Sequence, residues 1–271
     1  MPSPPLADER RNQLLDLVRA RGFASLPELA GELEVSESTV RRDLEHLEEV
    51  GAAKRTHGGA FYTGGSPEFP HFKDRQHAQW DKKQAIARVA AELIEDGDTL
   101  LLDGGSSAYE VGRLLVGRPL QIVTNSMPVA NLFASSADSD LVFVGGNVHP
   151  RTGVTMGPYT TRMLAELNVR RAVISVAAIN DQGYYNSNVL QVETQRAMIQ
   201  MADEVIVVVD STKFGHRSLS RVGQLDEIDR LVVDERLNDE WQEKVREVGV
   251  DLLVAPLASN AKETDPKQRA K

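Results

Sequence analysis

From about residue 82 onward, continuous apolar runs alternate with helical patterns, and this alternation constrains the fold more than any other feature of the chain. The runs are TLLLD (99–103), QIVTN (121–125), DLVFVGG (140–146), RAVISVAAI (171–179), EVIVVVD (204–210), RLVVDE (230–235) and DLLVA (251–255). Most lack the polar–apolar alternation of a half-exposed strand, so they read as strands covered on both faces. Amphipathic stretches at 83–95, 107–116, 191–202 and 239–248 separate several of them. Such alternation predicts an α/β domain over residues 82–256, with a mostly parallel sheet under covering helices.

The N-terminal part has a different texture. Leu14, Leu15, Leu17 and Val18 form one apolar stripe of a helix from about Asp8 to Arg21, with Gly22 as its stop. Ser25 and Glu28 stand at capping-box spacing ahead of Leu29 and Leu33, which predicts a second helix. Ser36 caps a third, in which Val40, Leu44 and Leu47 recur at i, i+4 and i+7. Three short helices with a tight turn between the last two make a helix-turn-helix pattern over residues 8–60.

On the third helix the face opposite the apolar stripe carries Ser38, Arg42, Glu45 and Glu49, flanked by Thr39 and Arg41. Ser36, Ser38, Thr39, Arg41 and Arg42 therefore stand where a recognition helix enters a major groove. Glu49 lies seven residues past Arg42, roughly 10 Å along the axis, where the helix has room to leave the groove. Lys54, Arg55 and His57, just ahead of two glycines, read as the cations of a wing that contacts backbone phosphate. The arginine pair also fits a solvated helix face with i, i+4 partners such as Arg41 and Glu45.

A net charge of -9 over 271 residues argues against indiscriminate phosphate binding, which needs a broad positive field, but permits a local contact. Up to residue 75 there are 10 Lys and Arg against 13 Asp and Glu, so the N-terminal module is not net basic. Useful affinity for double-stranded operator DNA then calls for several copies, a homodimer or homotetramer. Cysteine is absent, which excludes disulfides and thiolate metal sites and fits a reducing compartment. No apolar run approaches the roughly 18 residues of a membrane span, so the reading is cytoplasmic, without membrane contact. Residues 61–81, rich in Gly, Pro and aromatics, read as a linker, and 257–271 as a disordered tail.

Three loops of the C-terminal domain carry chemistry. In LLLDGGSSAYE a strand ends at Asp103, Gly104 and Gly105 follow, and Ser106 and Ser107 open a helix; free amides, glycines and hydroxyls together suit a phosphate. QIVTNSMPVA repeats the layout with Thr124, Asn125 and Ser126, and ligands of open α/β sheets bind outside such strand ends. Gly145, Gly146 and Gly157 stand where they could line the same mouth. In VVVDSTKFGHRS, Asp210 and Lys213 follow another strand, and the lysine could counter a phosphate or pair with Asp210. Each loop also has a plain alternative: an unliganded turn, a helix cap at Ser126, a turn glycine at Gly146, a surface lysine at Lys213. Neither a P-loop nor a GxGxxG fingerprint is present, and no cofactor or metal site is expected.

VSESTVRRDLEHLEEVGAAKRTHGGA, residues 35–60, resembles the helix-turn-helix and wing signature of the DeoR family of bacterial transcription regulators. Asp43 follows the arginines in that signature, and its angular position close to the buried stripe assigns it a structural pairing role instead of DNA contact. The family's sensor domain has D.GST, TNS, GG and D.SKFG in order, resembled here by Asp103–Ser107, Thr124–Ser126, Gly145–Gly146 and Asp210–Gly215. Its F..R lead-in and entry helix are resembled by Phe72 to Arg75 and by residues 82–94, so the likeness spans about residues 10–255. Ser107 stands where Thr is usual, and SVAAINDQGYYNSNVLQVETQRAM replaces a region that commonly holds GxDGI, which puts effector specificity in that segment.

The resemblance implies a winged helix-turn-helix followed by a Rossmann-like sensor sheet similar to that of ribose-phosphate isomerase, and a phosphorylated sugar or polyol as effector. It also raises a competing reading, a sugar-phosphate isomerase-like enzyme with Asp103, Asp181, Glu193 or Asp210 as base and Lys213 as electrophile. The acidic cluster and lysine-glycine run of such isomerases do not occur near AAINDQGYY, so a repressor and not an enzyme is expected.

Overall fold

The computed structural model describes residues 7–21, 23–49, 53–56, 59–61 and 72–257. The chain divides into two compact units, Met1–Pro70 and His71–Lys271.

The first unit contains α1 (Ala7–Arg21), β1 (Phe23–Ser25), α2 (Leu26–Glu32), α3 (Glu37–Glu49), β2 (Lys54–Thr56) and β3 (Gly59–Phe61). Leu14, Val18, Leu29, Val40, Leu44 and Leu47 meet in one buried core, so the stripes read from the sequence face one another. Leu15 and Leu17 lie at its margin. The Glu28 carboxylate accepts from the backbone N–H of Ser25 at 2.9 Å and from its hydroxyl at 2.7 Å, which fixes the start of α2. The strands form an antiparallel sheet in the order β1-β3-β2. The hairpin was legible as a wing; β1 was not, because a three-residue strand leaves no periodicity to read.

Asp43 is buried on the inner side of α3. Its carboxylate accepts from Arg10 Nε at 2.6 Å, from Arg10 Nη2 at 3.2 Å and from Arg11 Nε at 3.3 Å. It ties α1 to α3, the structural pairing that its angular position implied.

The second unit opens with α4 (Phe72–His77) and α5 (Trp80–Glu92), then β4 (Thr99–Leu102), α6 (Ser106–Leu115), β5 (Gln121–Thr124), α7 (Met127–Phe133) and β6 (Asp140–Phe143). A hairpin, β7 (Asn147–Val148) and β8 (Thr155–Met156), leads to α8 (Pro158–Leu164) and β9 (Val169–Ile174). There follow β10 (Ala178–Asn180), β11 (Gly183–Asn186), α9 (Val189–Gln200), β12 (Ala202–Val208), β13 (Ser220–Gly223), β14 (Arg230–Asp234), α10 (Asp239–Glu247) and β15 (Asp251–Ala255).

Seven strands make one parallel sheet, ordered β15-β14-β12-β9-β4-β5-β6. Leu100 and Leu102 of β4 point into one apolar layer, with Ile86, Val111 and Phe133, while Leu101 points into the other, with Leu164, Val192 and Met198. Helices cover both faces, as continuous apolar strands require. The order reverses between β4 and β9: from β4 the chain winds outward to β6, then returns to β9 and winds the other way. A crevice outside the strand ends at such a reversal is where open α/β sheets place ligands.

Three expectations need correction. Residues 72–77, assigned to the linker by composition, form α4, and the next helix begins at Trp80. The run 171–179 is two strands: β9 ends at Ile174, and Ala178–Asn180 joins β11 and β13 in a small antiparallel sheet. DLVF of β6 is not covered on both faces, since Val142 and Phe143 are 38% and 39% exposed at the edge of the sheet. Apolar composition alone does not separate an edge strand from a central one. No helix among the described residues is long and apolar enough to cross a membrane.

Candidate functional site

In the first unit, the outward face of α3 presents Ser38, Arg41, Arg42 and Glu45 to solvent, with Thr39 half-buried. The hydroxyl of Ser36 lies 2.8 Å from that of Ser38 and 2.9 Å from that of Thr39, and accepts from Thr39 N–H at 3.3 Å. Ser36 is thus the cap of the helix, and three hydroxyls cluster at the end that would enter a groove. Arg41 pairs loosely with Glu37 at 4.0 Å, one turn back, rather than with Glu45. No ion pair among the described residues involves Arg42.

Arg55 departs from the sequence reading. Its Nε donates to Glu48 at 2.8 Å, its Nη1 to Glu45 at 2.6 Å, and its backbone N–H to Glu48 at 3.2 Å. Glu48 and then Glu45 hold this guanidinium above its ordinary range. The strand β2 runs back along α3 and brings Arg55 within reach of acids that belong to the helix. Arg55 therefore fastens the wing to α3 instead of standing free as a phosphate contact, and it offsets part of the acid load that the helix carries. His57 and the side chain of Lys54 lie outside the described residues.

In the second unit, Asp103 sits where β4 meets β9. Its Oδ2 accepts from Ser175 N–H at 3.1 Å and from Gln195 Nε2 at 3.4 Å, so one carboxylate joins both sides of the reversal. Burial pushes this carboxyl up, while the backbone amides of Ser175 and Gly104 and the charge of Arg75 oppose the shift. A Cβ on Gly104 would lie 2.0 Å from Val154 Cγ1, and one on Gly105 2.2 Å from Ser175 Cβ. These glycines admit neighbouring protein, not a ligand, on those sides.

Ser106 and Ser107 open α6 and are buried. Ala108 N–H donates to Ser175 Oγ at 3.1 Å and Tyr109 N–H to Gly105 O at 2.9 Å. The backbone N–H groups of Ser106 and Ser107 have no partner among the described residues. The helix end keeps donors for an anion.

The second polar loop is mostly structural. Thr124 Oγ1 donates to Leu102 O at 2.7 Å and accepts from Ser126 N–H at 3.1 Å. Asn125 Nδ2 donates to Thr155 O at 2.7 Å, leaving its buried Oδ1 without a partner. Ser126 Oγ accepts from Val129 N–H at 3.3 Å and caps α7. Gly145 O accepts from Thr160 Oγ1 at 2.8 Å, Gly146 is exposed at φ 148°, and Gly157, at φ 95°, precedes α8. Asp210 accepts from Thr212 N–H at 3.0 Å and caps a short turn, Ser211–Lys213, instead of pairing with Lys213.

Two cations close to Asp103 and Asp210 were not among the site residues that the sequence suggested. Arg75 of α4 projects its guanidinium toward Asp103 and over the Phe72 ring, 5.8 Å from its centroid. Its Nε and Nη2 are buried and have no hydrogen-bond acceptor. Burial lowers the guanidinium from its ordinary value, and Asp103 only partly restores it. Lys83 of α5 donates to the carbonyls of Arg75 and Ala78. Burial, helped by Lys213 and Arg75, brings its ammonium down to about 8 against the pull of Asp210 and Glu110. His149, on the β7–β8 connection, is pushed down by burial and by Arg151 and Arg75. Only the resemblance touched Arg75 and Lys83; a lone arginine in a polar stretch gives no periodic signal that it will be buried.

The sequence profile described as the DeoR-like helix-turn-helix domain matches residues 10–63, and the one described as the DeoR C terminal sensor domain matches residues 78–235. The chain belongs to the DeoR family. Among relatives, the glycerol-3-phosphate regulon repressor of Escherichia coli K12 is 32% identical over 228 residues, 83% of this chain and 90% of that one. The HTH-type transcriptional regulator YulB of Bacillus subtilis is 29% identical over 93% of this chain and 98% of its own length. UlaR of Escherichia coli O1:K1 is 27% identical over 90% of this chain and 98% of its own. Among solved structures, ribose 5 phosphate isomerase A from Neisseria gonorrhoeae aligns with TM-score 0.37 at 14% identity, over 50% of this chain and 53% of that one. eIF2B beta from Chaetomium thermophilum aligns with TM-score 0.40 at 13% identity, over 82% and 61%. The chain thus spans about half of the isomerase and three-fifths of the eIF2B subunit.

Proposed function

We propose that this DeoR-family regulator is a repressor of carbohydrate genes that binds operator DNA through α3 and the wing and loses or gains that affinity when a phosphorylated sugar or polyol enters the β4–β9 crevice. The observation that carries the effector class is the buried guanidinium of Arg75, whose Nε and Nη2 lack acceptors and whose charge acts on Asp103, the residue that leads into the open helix end at Ser106 and Ser107. A charged donor left unsatisfied in a protein interior is costly, and a phosphate oxygen is the acceptor that suits both the guanidinium and a helix N-terminus. The glycerol-3-phosphate named for the Escherichia coli relative is a ligand of this class.

Ser38, Thr39, Arg41 and Arg42 would meet the groove, with Lys54 and His57 on the wing. Asp103, Ser106, Ser107, Arg75 and Lys213 would surround the effector, with Lys83 behind Arg75, while Thr124, Asn125, Ser126, Gly145, Gly146, Gly157 and Asp210 would shape the walls. The isomerase alternative is weakened by its own candidate bases: Asp103 is engaged by Ser175 and Gln195, and Asp181 and Glu193 are exposed. An assembly of two or four copies would supply the affinity that one acidic module lacks. Gel-shift titration of the full chain on its operator, with and without sugar phosphates, tests the proposal. A change in affinity is expected for a phosphorylated compound and none for its unphosphorylated parent; equal responses to both would overturn the effector class.

A further inference from the structure

Arg75 is not carried by the sheet: it rides on α4, a six-residue helix. Phe72 N–H donates to Arg151 O at 3.0 Å on the β7–β8 connection, and the Phe72 ring meets the edge of Tyr109, centroids 5.1 Å apart, on α6. Gln76 Nε2 donates to Glu110 at 3.2 Å, also on α6. At the other end, Lys83 Nζ donates to the carbonyls of Arg75 and Ala78. A helix this short does not persist by itself, so these contacts determine whether α4 is docked.

Docking α4 also buries two donors of Arg75 without acceptors, a cost that opposes the contacts above. An anion in the crevice would remove that cost only in the docked state, and a ligand shifts an equilibrium by its differential affinity for the two states. In chain order α4 is the first described element after the N-terminal unit.

We infer that Lys83 is a positioning residue that acts through Arg75: by gripping the two carbonyls of the α4 end it makes docking of α4 and occupancy of the crevice by a phosphate group a single equilibrium, through which occupancy is passed toward the DNA-binding unit. This rests on the crevice being the effector site. It adds that the fixed donors of α6 do not suffice, and that the moving part is α4.

Hydrogen exchange of the 72–79 amides in the full chain, with and without inorganic phosphate, tests it alongside the thermal midpoint as a report of binding. In the unsubstituted protein phosphate should slow exchange of α4 by about tenfold or more, the effect of satisfying a charged buried donor. Lys83→Met should leave α4 exchanging fast at any phosphate concentration and weaken phosphate binding, with exchange of β4 and β9 unchanged; Lys83→Arg should restore part of the response. Arg75→Met, which fills similar space without donors, should slow α4 exchange with no phosphate present and make it unresponsive. If phosphate raises the midpoint and α4 exchange does not change, α4 coupling is overturned and the effector site stands. If phosphate does not bind, the effector reading falls, and Arg75→Met alone decides: unaltered α4 exchange in that variant overturns the docking cost.

Discussion

Replacing Asp43 by alanine tests how the recognition helix is held. The Asp43 side chain is 3% exposed and takes three hydrogen bonds from Arg10 and Arg11, whose side chains are 14% and 29% exposed. Removing one partner of a buried pair costs about 3–5 kcal/mol when the remaining charge is fully trapped. Both arginines can partly rehydrate, so the lower end, about 3 kcal/mol, is expected for Asp43→Ala. That is a large share of the stability of a small unit, whose net balance is of order 5 kcal/mol. Asp43→Asn keeps the shape but loses the charge, and should recover about a third of the loss through neutral hydrogen bonds.

Amide exchange at Val40, Leu44 and Leu47 in the full chain reads the opening of α3 directly, apart from the larger unit. Asp43→Ala should speed it roughly a hundredfold, the rate equivalent of about 3 kcal/mol, with operator affinity falling in parallel. Unaltered exchange with lost DNA binding would refute the argument, since it would make Asp43 a contact residue despite its burial.

Arg42→Ala should cost about 1–3 kcal/mol of operator affinity and relax preference at one base position, whereas Arg55→Ala, which breaks ties to Glu45 and Glu48, should alter thermal stability more than base preference; a binding selection on both variants distinguishes them. Gly105→Ala places a methyl where Ser175 already stands, and an overpacking penalty of about 1–3 kcal/mol should appear as a lower thermal midpoint; an unchanged midpoint would mean that the β4–α6 turn yields easily. As the pH rises past 8, phosphate affinity should decline. Lys83, facing Asp210, Lys213, Arg75 and Glu110, loses its proton near 8 in the empty crevice, and a bound phosphate would hold that proton to higher pH. Calorimetric titration across that range should show the decline in the unsubstituted protein and not in Lys83→Met.

The α/β class, the positions of most parallel strands along the chain and the helix-turn-helix were legible because each rests on a local pattern: the run at 99–103, the stripe of Val40, Leu44 and Leu47, the capping pair Ser25 and Glu28. Asp43 was legible for the same reason, since its angle on α3 places it beside that stripe. Only the tertiary structure decided which polar groups are already spent. Arg55 reads as a free wing cation until β2 lays it against Glu45 and Glu48, and Gly104 and Gly105 read as room for a ligand until Val154 and Ser175 fill it. Arg75 and Lys83 are the converse case, ordinary surface residues by composition that α4 and α5 carry into the crevice. Local spacing fixes which face of a helix or strand a residue occupies, whereas hydrogen-bond satisfaction depends on partners that other elements bring close, from 7 positions away along the chain for Arg55 and Glu48 to 92 for Asp103 and Gln195.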